Sequence, residues 1–254
     1  AMMKYNQFHD HRGGGRFSGR LTATHVMGGA IARKLLKVTL GIKINSFTSQ
    51  IGKVKMEKEF SEKMSKLIYK NEVRCPEEKT AKKMRESILN AKKKGDSLGG
   101  IIESITTNVP VGLGEPIFSS LESDLSKAIF SIPSVKGIEF GSGFRGSELF
   151  GSENNDLYTM KRGKIVTKTN NSGGILGGIS NGMPITMRIA FKPASSIAQK
   201  QDTVDIKNKK DAILQVKGRH DPCVVPRAAP VVDSLVALTI ADHALITGTI
   251  KPSL

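Results

Sequence analysis

The chain has 254 residues and a formal net charge of +16, with 38% hydrophobic and 5% aromatic residues and no tryptophan. This length accommodates one large domain or two small ones around a mostly aliphatic core. The charge indicates an anionic partner, which could be nucleic acid, a membrane surface or a small phosphorylated or carboxylated ligand. Two distant cysteines without metal-ligand spacing indicate a reduced, cytoplasmic protein with no metal site. The sequence shows no signal peptide and no apolar run expected to span a membrane.

The first half of the chain alternates between helical and strand patterns. A helix is predicted from Thr22 to Lys37, with Met27, Ile31 and Leu35 at a spacing of four residues as its apolar stripe. In order, there follow a strand over 42–54, a helical stripe over 60–68, a helix over 77–94 and a strand over 97–109. Gly99 and Gly100 indicate that this last strand passes another backbone closely.

The second half is predicted to contain a helix over 121–129, a strand over 135–140, a mobile surface loop over 141–156, and strands over 164–169 and 185–191. A last helix is expected to begin near Pro230 and to end before Gly248. No fixed-period repeat and no regular βαβ alternation is visible. The sequence therefore predicts one α+β domain over 1–254 rather than a doubly wound sheet.

Four segments share a composition suited to binding an anion. They are the glycine-arginine loop 12–20, the amide- and glycine-rich segment 169–182, the lysine- and serine-bearing segment 191–197, and the charged segment 218–221. Arginine binds phosphate and carboxylate through a planar fork, and glycine loops bring backbone N–H groups close to a phosphate or a flat ring. Taken alone, the triplet Arg219-His220-Asp221 before Pro222 also fits a solvated turn ahead of a helix.

The order of the motifs resembles the chorismate synthase family along essentially the whole chain. The motifs are Arg-Gly-Gly-Gly-Arg-Phe-Ser-Gly-Arg-Leu-Thr-Ala at 12–23, Gly-Leu-Gly-Glu-Pro at 112–116, Ser-Ile-Pro-Ser-Val-Lys-Gly at 131–137, Gly-Ser-Glu-Asn-Asn-Asp at 151–156, the glycine-rich run at 171–182, Lys-Pro-Ala-Ser-Ser-Ile at 192–197 and Gly-Arg-His-Asp-Pro-Cys at 218–223. One such match carries little weight, whereas an ordered series is specific.

The resemblance implies an enzyme that converts 5-enolpyruvylshikimate 3-phosphate to chorismate and phosphate by a 1,4-anti elimination, using reduced FMN. It also implies antiparallel sheets sandwiched between helices and a homotetramer with flavin sites near subunit contacts. NADP belongs to the same expectation, although the sequence does not identify the electron donor. The implied partner is a small anionic substrate, and neither nucleic acid nor membrane is expected.

The resemblance also assigns site residues. Arg20 and Arg219 would hold the anionic groups of the substrate, and Asp221 would assist proton transfer at the flavin. The flavin-binding positions would be Arg16, Phe17, Ser18, Pro133, Ser134, Gly177, Lys192, Pro193, Ala194, Ser195, Ser196 and Arg219.

The chain departs from the family pattern near its start. Two family motifs that carry histidines, Gly-Glu-Ser-His-Gly and Arg-Pro-x-His-Ala-Asp, have no counterpart in this sequence. We therefore expect a truncated chain that turns over poorly. Two other functions remain open at this point. One is a basic nucleic-acid-binding protein, although its basic segments lack interleaved aromatic residues for base stacking, with three Tyr and no Trp. The other is a catalytically silent oligomerisation module.

Overall fold

The computed structural model describes residues 2–8, 14–218 and 220–251. Its helices are α1 (Met2–Tyr5), α2 (Thr22–Leu40), α3 (Glu78–Lys93), α4 (Leu121–Phe130), α5 (Gly151–Asn154) and α6 (Val225–Ile246). Its strands are β1 (Lys43–Ile51), β2 (Val54–Lys55), β3 (Gly100–Thr107), β4 (Val135–Phe140), β5 (Tyr158–Lys161), β6 (Lys164–Thr167), β7 (Ile175–Leu176), β8 (Ile179–Ser180), β9 (Ile185–Phe191), β10 (Lys200–Asp205) and β11 (Lys210–Gln215). Short 3₁₀ segments cover Asn6–Phe8, Gly15–Phe17, Gly19–Leu21, Glu62–Lys70, Ile117–Ser119 and Gly143–Glu148.

A five-stranded antiparallel sheet in the order β2-β1-β3-β9-β4 forms the centre of the fold, and β5–β6, β7–β8 and β10–β11 form two-stranded hairpins. Helix α6 packs against β1 and β3, α2 packs on α6, and α3 lies against β1 and β2. Gly100 is required where β3 meets β1, because a Cβ atom there would lie 2.1 Å from the carbonyl oxygen of Gln50. The predicted α+β class with antiparallel strands and packed helices is confirmed.

Helix α2 extends over the predicted range, but only Leu35 of its predicted apolar stripe packs partly against the core. Met27 and Ile31 are 70% and 75% exposed, whereas Gly29, Ala32 and Leu36 are buried. The reason is the close approach of α6, because a Cβ atom on Gly29 would lie 2.2 Å from the Cβ of Ser234. Small residues therefore form the closest contact between the two helices, whereas Met27 and Ile31 lie on the exposed face.

Three other predictions are corrected. The segment 141–156, expected as a mobile loop, contains a 3₁₀ segment and α5, and the Asp156 carboxylate accepts hydrogen bonds from the backbone N–H groups of Asn171 and Ser172 at 2.7 and 2.8 Å. Helix α6 begins at Val225, five residues before the expected start, and Pro230 lies inside it. Pro226 suits the first turn, where backbone donors lack intrahelical partners anyway. The helical stripe over 60–68 forms a 3₁₀ segment, and the hairpin β10–β11 was not anticipated.

Helix α6 forms the core of the domain. By length and composition it could cross a membrane, contrary to the expectation that no apolar run would do so, and it is the one helix of this kind among the described residues. However, 67% of its apolar window is buried inside the fold, as in the core helix of a globular domain. Both cysteines, Cys75 and Cys223, are free and buried, and burial raises the pKa of each thiol to about 11.

Candidate functional site

A cavity of about 880 Å³ opens where α2 and α6 begin. Three parts of the chain form it: the end of the glycine-arginine loop with the first turns of α2, the turn between α4 and β4, and the charged segment with the first turns of α6. The polar residues of its wall are Ser18, Arg20, Thr22, Ser134, His220, Asp221 and Arg227. The cavity thus joins two of the segments whose composition suits an anion, 12–20 and 218–221, with the turn between α4 and β4.

The glycine-arginine loop folds into two 3₁₀ turns that lead directly into α2. Ser18 is extended and caps the second turn, because its Oγ accepts a hydrogen bond from the backbone N–H of Arg20 at 3.2 Å. The same Oγ accepts from Nη1 of Arg20 at 3.3 Å. Ser18 therefore fixes both the backbone and the guanidinium of Arg20 at the cavity wall.

The turn after α4 is held in an uncommon backbone conformation. Ser134 has a backbone φ of +76°, which residues other than glycine rarely adopt. Its carbonyl accepts the backbone N–H of Lys192 at 2.9 Å, so the segment 192–196 begins beside the cavity wall. Ser97 Oγ donates to the carbonyl of Ala194 at 2.6 Å and holds this segment further along.

Residues 97–99, just before β3, connect the lysine-serine segment to the charged segment. The backbone N–H of Leu98 donates to the carbonyl of Pro222 at 2.7 Å, and Leu98 pairs with Cys223 in a parallel bridge. On the other side, a Cβ atom on Gly99 would lie 2.3 Å from the carbonyl of Phe191, so only glycine fits between them. The expected close approach at Gly99 and Gly100 is confirmed, and it places two candidate segments side by side.

The electrostatic field of the cavity favours an anion. The N-terminal ends of two long helices, α2 and α6, both border it, and helix N-termini carry a partial positive charge. Arg20 and Arg227 add two guanidinium groups. The carboxylate in the wall, Asp221, pairs with Arg227 at 3.2 Å between Oδ1 and Nη2. A phosphate or carboxylate ligand would therefore be stabilised at this place.

His220 separates the cavity from a smaller one. The second cavity, of about 210 Å³, is bordered by Ser196, Gly218, His220 and Asp221 among others. The Nε2 atom of His220 is buried and has no hydrogen-bond partner among the described residues. A buried polar nitrogen without a partner is costly, so this atom is available to hydrogen-bond a ligand.

The structure thus brings part of the predicted site together. Ser18, Arg20, Pro133, Ser134 and Asp221 line the large cavity, Ser196 lines the small one, and Lys192, Pro193, Ala194 and Ser195 lie in the anchored segment that begins at Ser134. The side chain of Lys192 is exposed, and its Nζ donates to the carbonyl of Pro193 at 3.4 Å.

Other predicted residues lie outside these cavities. Arg16 and Phe17 are exposed on the loop, and Arg219 lies outside the described residues. Gly177 lies in the turn between β7 and β8. The carbonyl of its neighbour Gly178 accepts a hydrogen bond from the backbone N–H of Leu121, the first residue of α4. Pro133 follows the other end of this 10-residue helix, so the length of α4, about 15 Å, separates Gly177 from the cavity wall. Binding roles for these residues stay predictions.

Sequence reasoning missed Arg227. It lies in the first turn of α6, six residues after Asp221, and the sequence placed the helix start after it. A signal was present, because Pro226 is suited to the first turn of a helix and would have put Arg227 beside the charged triplet.

The fold and the cavity define an α+β protein with a pocket for an anionic ligand. Comparison with known proteins makes this specific. Residues 1–245 match the family model described as chorismate synthase. The chain is 51% identical over 243 residues to the chorismate synthase of Korarchaeum cryptofilum, covering 96% of this chain and 67% of that protein, and 49% identical over 250 residues to that of Dehalococcoides mccartyi, covering 98% and 68%.

A solved structure agrees with these relatives. A crystal structure of chorismate synthase superimposes with a TM-score of 0.78 at 30% identity, covering 97% of this chain and 69% of that one. The chain therefore belongs to the chorismate synthase family, the lyases that form chorismate in the shikimate pathway. It spans about two thirds of the length of the relatives that it matches. The nucleic-acid-binding alternative receives no support from these comparisons.

Proposed function

We propose that the large cavity binds reduced FMN together with 5-enolpyruvylshikimate 3-phosphate, and that the chain catalyses the 1,4-anti elimination of phosphate that yields chorismate. The observation that carries this proposal is the convergence of two helix N-termini, Arg20, Arg227 and Asp221 on one cavity. Both proposed ligands carry phosphate groups, and these elements are the ones that bind phosphate in proteins.

The residues present fit a flavin mononucleotide. A cavity of about 880 Å³ is in the upper range for small-molecule sites and can hold two ligands together. His220 offers a buried nitrogen without a partner among the described residues, and the strained turn at Ser134 brings backbone close to the cavity. Ser18, Pro133 and Ser134 would contact the cofactor at the cavity wall, and the segment 192–196, which begins beside Ser134, would extend this contact. When bound, reduced FMN supplies electron density to the reaction, which has no net redox change.

The chain's own residues perform three tasks in this proposal. Arg20 and Arg219 bind the anionic groups of the substrate, and Arg20 is positioned for this by Ser18. The helix N-termini stabilise the charge that develops on the departing phosphate. Asp221, at the cavity wall, accepts or returns a proton at the flavin through its carboxylate oxygens.

Anaerobic titration with reduced FMN, followed by isothermal titration calorimetry, tests this proposal. We expect FMN to bind the purified chain under reducing conditions, and binding to tighten when the substrate is present. Arg20→Gln should weaken substrate binding on the order of 10-fold or more, since hydrogen bonds to charged groups contribute about 1.5–3 kcal/mol. The matched control is Arg85→Gln. Arg85 lies on α3, lines neither cavity and forms an exposed ion pair with Glu72, which the substitution removes. Equal effects of the two variants, or no FMN binding by the wild-type chain, would refute the proposed site.

The finer family properties are part of the same proposal. We infer a cytoplasmic enzyme that assembles as a homotetramer and whose flavin is reduced by an NADP-linked donor. Exposed apolar residues on α2, Met27 and Ile31, support association, since large apolar patches usually contact a partner. Sedimentation equilibrium would measure the assembly directly, and a purely monomeric species would contradict it.

A further inference from the structure

Arg227 occupies a position where a cation is locally unfavourable. It lies in the first turn of α6, and this turn contains no acidic residue. A cation near a helix N-terminus opposes the helix dipole, typically by about 0.3–1 kcal/mol. A residue that conflicts with the charge preference of its own helix end in this way often lies at a functional site.

Nor does Arg227 serve an evident packing role. Its side chain is 73% exposed, and its ion pair joins it to Asp221, whose side chain is 43% exposed. An ion pair this exposed contributes little to stability, with a typical range of about 0–1 kcal/mol. Both residues line the cavity wall near Arg20 and Ser134. The guanidinium therefore faces the ligand space and is held there by a weak, exchangeable contact.

We propose that Arg227 is a substrate-binding residue that exchanges Asp221 for an anionic group of the substrate. In the free protein, Arg227 pairs with Asp221. When a phosphate or carboxylate enters, the guanidinium, which has five N–H donors, binds it in place of Asp221. The exchange releases the Asp221 carboxylate for its proposed role with the flavin. This inference rests on the proposed function, and it couples substrate binding to the availability of Asp221.

Isothermal titration calorimetry with 5-enolpyruvylshikimate 3-phosphate, and with inorganic phosphate as a second probe, tests the exchange without turnover. Arg227→Gln should weaken substrate binding on the order of 10- to 100-fold. Arg227→Lys should recover part of this loss, because it keeps the charge but not the fork. Asp221→Asn should tighten binding about twofold to fivefold by removing the competing carboxylate. In the Arg227→Gln background, Asp221→Asn should have no further effect.

The control and the possible outcomes separate the two proposals. Arg85→Gln should leave binding unchanged, and thermal unfolding of each variant verifies that it folds. If Arg227→Gln binds like Arg85→Gln, or if Asp221→Asn tightens binding equally in both backgrounds, the exchange is wrong while the proposed function stands. A wild-type chain that binds phosphate, with loss in Arg227→Gln, but rejects the substrate would overturn the proposed function and limit the exchange at Arg227 to an inorganic anion. Binding of neither probe would overturn both.

Discussion

Asp233 in the middle of α6 makes the stability of the protein depend on pH in an unusual direction. Its side chain is 3% exposed, and Oδ2 pairs with Nη1 of Arg33 at 3.1 Å. The other oxygen, Oδ1, is buried without a hydrogen-bond partner among the described residues. Burial raises the pKa of this carboxyl from 3.8 to about 6, despite the nearby guanidinium of Arg33. The native state therefore favours the protonated form of Asp233 more than the unfolded state does.

The sign of the effect follows from proton binding. Between the pKa values of the unfolded and native states, the native protein binds more protons, so the contribution of Asp233 to stability falls as pH rises. The contribution is fully present below about pH 4 and is lost above about pH 6. A shift from 3.8 to about 6 corresponds to about 3 kcal/mol, since each pKa unit is worth 1.36 kcal/mol. Asparagine has nearly the same shape and cannot ionise.

We therefore expect Asp233→Asn to gain stability relative to the wild type as pH rises. The difference in the free energy of unfolding should increase by about 2–3 kcal/mol from about pH 4 to about pH 7. Urea denaturation of both proteins at several pH values measures it, because other titrating groups cancel in the difference. Asp242→Asn, at an exposed position of the same helix, is the control. A difference that stays flat or decreases with pH would refute this account of the buried carboxyl.

Three further predictions concern packing. Gly29→Ala should lower the free energy of unfolding by about 2 kcal/mol or more in thermal or urea denaturation, because the added Cβ would overlap Ser234 of α6. Gly28→Ala is the control: its Cβ would lie 3.7 Å from the nearest neighbour, so its effect on stability should be neutral or slightly favourable. Leu36→Ala should lower the free energy of unfolding by about 2–5 kcal/mol, because Leu36 is buried. Ile31→Ala, on the exposed face of the same helix, should lower it by less than about 0.5 kcal/mol. Similar losses in the two variants would contradict the observed orientation of the helix. The two buried thiols should react with a thiol reagent about 100-fold more slowly in the folded than in the urea-unfolded chain, as their raised pKa values require, and rapid labelling of the folded chain would contradict their burial.

The sequence predicted most elements because their signals are local. Strand β4 matches its predicted range, and Pro76 together with Gly95 correctly placed the ends of α3. Gly99 and Gly100 indicated close approaches that the structure contains, because only glycine removes the Cβ atom at such places. Short-range chemistry was thus sufficient to place these parts of the fold.

The failures share a different cause. The stripe Met27, Ile31 and Leu35 has a helical period, yet the buried face of α2 is determined by its packing against α6, which lies near the other end of the chain. Likewise, Arg227 belongs to the cavity only because α6 begins before it. Which side of an amphipathic helix faces the core, and which cations reach a cavity, are decided by tertiary packing, which periodicity alone does not contain.

The contact between α2 and α6 explains why the cavity carries a positive field. Both helices begin at the cavity, and Gly29 meets Ser234 further along, so their N-terminal ends lie on the same side of this contact. Neighbouring N-terminal ends place like dipole ends together, which is unfavourable unless an anion lies between them. Glycine at the crossing lets the axes approach closely, and this close packing stabilises the arrangement. The fold therefore holds two helix N-termini together beside Arg20 and Arg227, and a bound phosphate would relieve the repulsion among these positive groups.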